Sequence, residues 1–102
     1  MTTAEEAYLS IGQGLKGAIQ SQLFGKPCFK AEGKAFVCFF KNAMVFKLSG
    51  DSHTEALCLD GTHLFDPSGK GRPMKEWVQV PFVYHDKWEK YAREALNYVN
   101  SK

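Results

Sequence analysis

The segment Lys34-Ala-Phe-Val-Cys-Phe-Phe40 constrains the fold more than any other part of the chain. Successive side chains of a strand point to opposite faces. In an ideal strand Phe36, Cys38 and Phe40 share one face, and Ala35, Val37 and Phe39 the other. Both faces are then apolar, so the strand belongs in the middle of a sheet, with helices covering one side and a loop or partner the other.

The neighbouring segments supply the rest of that sheet. Ala18–Phe24 reads as a first strand, broken by Gly25, Lys26 and Pro27. Cys28–Ala31 reads as a short, edge-like second strand, and Glu32-Gly33 as the hairpin turn into the third. Lys41-Asn42 turns the chain into Ala43–Ser49, where Met44, Phe46 and Leu48 share a face and Lys47 lies opposite. Asp60-Gly61 is a turn before a short strand, Thr62–Phe65. Glu76–Val80 is the last strand, anchored by Trp77, with Pro81 at its end because proline cannot donate to a ladder.

Three helices flank these strands. Thr3 caps the first, with Glu5 and Glu6 in its first turn. Tyr8, Ile11 and Leu15 fall at core spacing, and Gly12 and Gly14 end the helix near Leu15 or Lys16. Ser52 and Glu55 have capping-box spacing, which predicts a short helix over Ser52–Leu59. The last helix opens at Asp86 and Glu89. It places Trp88, Tyr91, Ala92, Ala95, Leu96 and Val99 on one face, and Lys87, Lys90, Arg93 and Glu94 on the other. The expected architecture is α+β: one domain over residues 1–102, an antiparallel sheet of five to six strands with terminal helices and a short middle helix.

Composition limits the functional classes. At 102 residues and 44% hydrophobic content the chain can bury one core without staples. A net charge of +2 gives no overall basic excess pointing to nucleic acid. No apolar run approaches the roughly 18 residues of a membrane span. The opening residues MTTAEEAYLS lack the basic and apolar regions of a signal peptide. Cys28, Cys38 and Cys58 show no CxxC spacing, which fits reduced thiols and a cytoplasmic location.

Chemistry-bearing residues are scattered. A zinc site draws on three or four ligands in short paired spacings; Cys58 and His63 offer only two, so no metal and no cofactor is expected. His53 reads as structural or solvent-exposed near a helix start. Among the thiols, Cys38 reads as buried and inert, and Cys28 as the most accessible; neither has the base and electropositive niche that a nucleophile needs. Tyr84, His85 and Asp86 form an acid–base trio on paper, but Asp86 is accounted for as a helix start, and no catalytic residue is expected. The loop Ser68–Pro73 holds glycines and cations without the helix start and Lys-Ser/Thr ending of a P-loop. Lys70, Arg72 and Lys75 are its candidate interaction residues.

The phrases FGKPCFKAEGKAFVCFF, AMVFKLSGDSHTEAL, GTHLFDPSGKGRPMKEWVQVP and WEKYAREALNYV resemble the N-terminal domain of the TfoX family of competence regulators. The carrying positions are Phe24-Gly25, Gly33, and the run from Pro67 and Gly69 through Met74 and Trp77 to Pro81. The likeness extends from about Gly14 to Val99. It implies a small α+β sandwich similar to YjbR-like and secretion-chaperone-like folds, carried as a free-standing domain. It also implies a non-catalytic regulatory or protein-binding role with an unidentified protein partner.

Two features extend that expectation. The two-sided apolar strand suits a homodimer. The regulator family, the basic loop and the pairs Phe29-Lys30, Phe40-Lys41 and Phe46-Lys47 suit a nucleic-acid module.

Overall fold

Six strands hydrogen-bond in the order β1-β2-β3-β4-β6-β5, every neighbouring pair antiparallel. The computed structural model describes residues 3–23, 26–66 and 74–100. Its elements are α1 (Thr3–Gln13), β1 (Ile19–Leu23), β2 (Lys26–Ala31), β3 (Lys34–Phe40), β4 (Ala43–Lys47), α2 (Gly50–Leu57), β5 (His63–Phe65), β6 (Met74–Pro81), a single 3₁₀ turn (Phe82–Tyr84) and α3 (His85–Asn100). The architecture is the α+β one expected, with six strands and three helices.

Two tight hairpins build the centre. Glu32 and Gly33 both adopt positive φ, 52° and 79°, as do Lys41 and Asn42, 50° and 60°. Two consecutive left-handed residues match the right-handed twist of the flanking strands, which is the geometry of two-residue hairpins.

All three helices pack on one face, here the front. Tyr8 from α1, Ala56 from α2, and Trp88, Tyr91, Ala92, Ala95 and Val99 from α3 bury against Phe29, Phe36, Val37, Met44, Phe46, Val78 and Val80. A second, smaller cluster occupies the back: Cys28, Cys38, Val45, Phe65 and Trp77, with Ala35 and Phe40 at its margin. No helical residue belongs to it among the described residues. Phe40 on β3 meets Phe65 on β5 edge to face, ring centroids 5.3 Å apart, across the two intervening strands.

A bulge corrects the simple alternation expected of β3. Phe29 pairs with Val37 and Lys30 with Ala35, so Phe36 is an extra residue opposite β2. Two residues against one let both point the same way. Phe36 therefore joins Val37 in the front cluster, and Ala35 drops to the back.

Several element ends differ from expectation. Thr3 is already helical rather than the cap, and α1 stops at Gln13, where the Gly14 N–H bonds back to Ser10 and Ile11. β2 begins at Lys26, and Pro27 pairs with Gln22 inside the ladder. α2 starts two residues early, after an extended Ser49, so Ser52 is no cap. Glu55 instead reaches α3, accepting from Lys90 Nζ at 2.7 Å and Tyr91 Oη at 2.9 Å. α3 opens at His85, and its Glu94 is half-buried rather than fully on the outer face.

Candidate interaction site

Among the described residues, five lysines gather on or beside the back face. Lys30 lies two residues from Cys28, and Lys47 two from Val45, so both share the back with the small cluster. Lys26 and Lys41 stand over the half-buried Phe40 ring, 4.8 and 5.3 Å from its centroid. Lys47, Lys75, Glu76 and Trp77 line a shallow depression of about 320 Å³ at one end of this face. Within it Lys47 approaches Glu76 at 3.9 Å. Five lysines thus border an apolar floor on a sheet face that, among the described residues, no helix covers.

Of the three loop cations, Lys75 is exposed on β6 and borders that depression. Lys70 and Arg72 lie outside the described residues. Among the described residues Lys75 groups with Lys47, a strand residue. Sequence reasoning missed the face because its lysines come from three separate segments. Their common signal is position: Lys26 and Lys30 match Cys28 in parity, Lys47 matches Val45 and Lys75 matches Trp77, and only the register places these residues on one face.

The aromatic–lysine pairs resolve differently from expectation. Phe29 and Phe46 are buried in the front core, while Lys30 and Lys47 point to the back. Strand alternation separates each ring from its lysine, so neither pair is a stacking platform. Phe40 is the exception, half-buried beneath Lys26 and Lys41.

The titratable residues serve the fold. His53 Nε2–H donates to the Lys75 carbonyl at 2.7 Å, tying α2 to β6. His63 Nδ1–H donates to the Leu64 carbonyl at 2.9 Å. Tyr84 Oη donates to the Asp60 carbonyl at 2.6 Å, and His85 stacks on Phe82 at 4.5 Å while its Nδ1–H donates to the Phe82 carbonyl. Tyr84 and His85 are each turned to a backbone carbonyl of a different segment. Among the described residues no three His, Cys, Asp or Glu side chains cluster as metal ligands.

The thiols reverse one expectation. Cys28 is fully buried on an interior strand, and Cys58, at the end of α2, is the exposed one. Burial pushes the Cys38 thiol up to about 12, and it raises Cys28 as well. On the front, Lys90 and Tyr91 hold the Glu55 carboxyl below its usual range.

A second open feature is the strand edge. Among the described residues β1 pairs only with β2. Its Ile19 is 67% exposed, which with Val83 makes it one of two large apolar side chains so displayed among the described residues.

The chain matches no family model, and no curated protein or solved structure is detectably similar to it. Among the described residues no helix is long and apolar enough to cross a membrane.

Proposed function

We propose that this chain is a non-catalytic protein-interaction domain of the TfoX N-terminal type, and that β1 is the strand it offers, first to a second copy of itself. The observation carrying this reading is the β1 edge. An open edge is a template for strand addition, and monomeric proteins usually guard it with lysine, proline or a very short strand. The other edge, β5, is only three residues long. β1 is the five-residue IQSQL, with neither charge nor proline.

The sequence of β1 is also self-complementary. Antiparallel pairing about Ser21 sets Ile19 of one copy opposite Leu23 of the other, Gln20 opposite Gln22, and Ser21 on the two-fold axis. This is the isologous pattern of a symmetric dimer. Reduced thiols fit a cytoplasmic setting. Size-exclusion chromatography with light scattering tests the reading. A dimer is expected, converted by Ser21→Lys, which opposes like charges at the axis, to a monomer with unchanged circular dichroism. A monomer across all concentrations in the unmodified protein sinks it.

A nucleic-acid reading has one specific observation in its favour, the back face, free of helices among the described residues, that bears Lys26, Lys30, Lys41, Lys47 and Lys75. Counterion release makes such binding steeply salt-dependent. Titrating isotopically labelled protein with single- and double-stranded DNA at low salt should shift the amides of these lysines. A spectrum unmoved by either DNA removes the reading.

A further inference from the structure

Cys28 on β2 and Cys38 on β3 are directly opposed in the antiparallel register. Residues opposed in this way have Cα atoms roughly 4.5 or 5.5 Å apart, according to the kind of pair. A disulfide spans Cα separations of about 4.4–6.8 Å. Both kinds of pair fall within that Cα range, and the closer, non-hydrogen-bonded kind also brings the Cβ atoms to about disulfide reach. Both side chains lie in the back-face cluster, 0% and 1% exposed. The two sulfurs are therefore neighbours in a dry pocket, held by strands that are themselves hydrogen-bonded.

We propose that Cys28 and Cys38 are an oxidative modification site, closed by a hydroperoxide into a cross-strand disulfide that fastens β2 to β3 beneath the lysine face. The Cys28 sulfur, with Lys30 two residues along the same face of β2, loses its proton and attacks a peroxide oxygen as thiolate. The O–O bond breaks, hydroxide leaves and becomes water with the Cys28 proton, and Cys28 becomes a sulfenic acid. The Cys38 sulfur then attacks the Cys28 sulfur. The S–S bond forms, the S–O bond breaks, and a second water carries away the Cys38 proton. In total, two thiols lose two hydrogens and one peroxide becomes two waters.

Burial makes the site slow and selective. Thiolate character governs cysteine oxidation, and both thiols are held above their usual range by burial. Reaction then proceeds through brief local openings of the β1–β2 edge, which lies next to Cys28. The exposed Cys58 has no opposed partner of this kind and would give mixed disulfides or a chain-to-chain bridge.

The test uses the full chain carrying Cys58→Ser. Hydrogen peroxide is added to the folded protein, followed by alkylation, tryptic digestion and mass measurement. The expected product joins the peptides 17–30 and 35–41 and is two hydrogens lighter than the separate pair. It is absent from the Cys28→Ser and Cys38→Ser variants. Both thiols remaining alkylatable after prolonged exposure overturns the peroxide step. In a second measurement the same bridge is closed in urea and the protein refolded. A native-compatible bridge raises the melting temperature by about 5 °C or more over the reduced protein, since it restricts the unfolded chain. A lower melting temperature for the bridged form shows that the strands reject it and overturns the site.

Discussion

Adding one methyl group at Gly12 should destabilise this protein, although the same change two residues later should stabilise it. Gly12 lies on the buried side of α1, against the Phe29 ring. A Cβ built there overlaps Cδ2, Cε2 and Cζ of that ring. Phe29 cannot swing aside: it is 2% exposed, and the Tyr8 ring lies 5.2 Å away. Overpacking a closed site costs about 1–3 kcal/mol, and this overlap with ring atoms belongs at the upper end. Replacing glycine by alanine inside a helix returns about 1 kcal/mol. The net for Gly12→Ala is a loss of about 2 kcal/mol, or about 8–16 °C in melting temperature for a domain of this size. At Gly14 the nearest atom to a new Cβ is the Ser10 carbonyl oxygen at 3.5 Å, an ordinary contact on an exposed residue. Gly14→Ala should gain about 0.4–1 kcal/mol through the unfolded chain. Thermal unfolding followed by circular dichroism reads both. A Gly12→Ala protein melting at or above the parent would refute the close approach of α1 to β2. Adding Phe29→Leu should recover part of the Gly12→Ala loss, because residues in contact couple.

Other expectations follow from the same packing. Trp88 is fully buried and edge-on to Phe82 at 5.5 Å, so Trp88→Ala should cost about 3–5 kcal/mol and abolish the cooperative thermal transition; an unchanged melting temperature would take Trp88 out of the core. Thiol labelling at neutral pH should be fast at Cys58 and slow at Cys28 and Cys38; fast reaction at Cys28 contradicts its burial. The Glu55 carboxyl titrates lower in the folded protein than in the unfolded chain, so its contribution is present above its unfolded value and lost as pH falls through the folded one. Glu55→Gln should flatten the acid limb of a stability–pH profile. Tyr91 titrates higher when folded, through burial and its bond to Glu55, so its contribution is full below the unfolded value and declines above it. Tyr91→Phe should flatten the alkaline limb; an unaltered limb disproves the linkage.

The sheet was legible where local chemistry decides structure. β3 was bounded correctly at Lys34 and Phe40, because its apolar run is closed by turn residues that tolerate left-handed backbone. α3 was legible from its apolar stripe, which stayed in phase for the whole helix. The Phe36 bulge was hidden, since a bulge changes register without changing composition. Cys28 was misplaced for a related reason. Its preceding proline suggested an edge, but β1 adds outside it and turns the strand into an interior one. Glu55 looked like half of a capping box because Ser52 stands three residues before it. Its long-range partners on α3 decided otherwise, and spacing within α2 carries no information about them.

The net charge of +2 concealed an uneven distribution of charge, and this can be tested directly. The three helices together carry seven carboxylates against three cations. The helix cations are also locally engaged: Lys90 with Glu55, and Arg93 with Glu89 one turn away. The back face has the opposite balance, with Lys26, Lys30, Lys41, Lys47 and Lys75 near Glu76. At physiological salt the screening length is about 8 Å, so opposite faces of the domain act independently on a polyanion. Two triple variants separate the faces: Lys26, Lys30 and Lys47 to Gln, and Lys87, Lys90 and Arg93 to Gln. Each loses three positive charges, so mean charge alone predicts the same elution from a cation exchanger. The segregated surface predicts that the sheet-face variant elutes at much lower salt, while the helix variant stays close to the parent. Equal elution of the two would mean that the lysines of the back face do not act together, and the nucleic-acid reading would lose its one structural support.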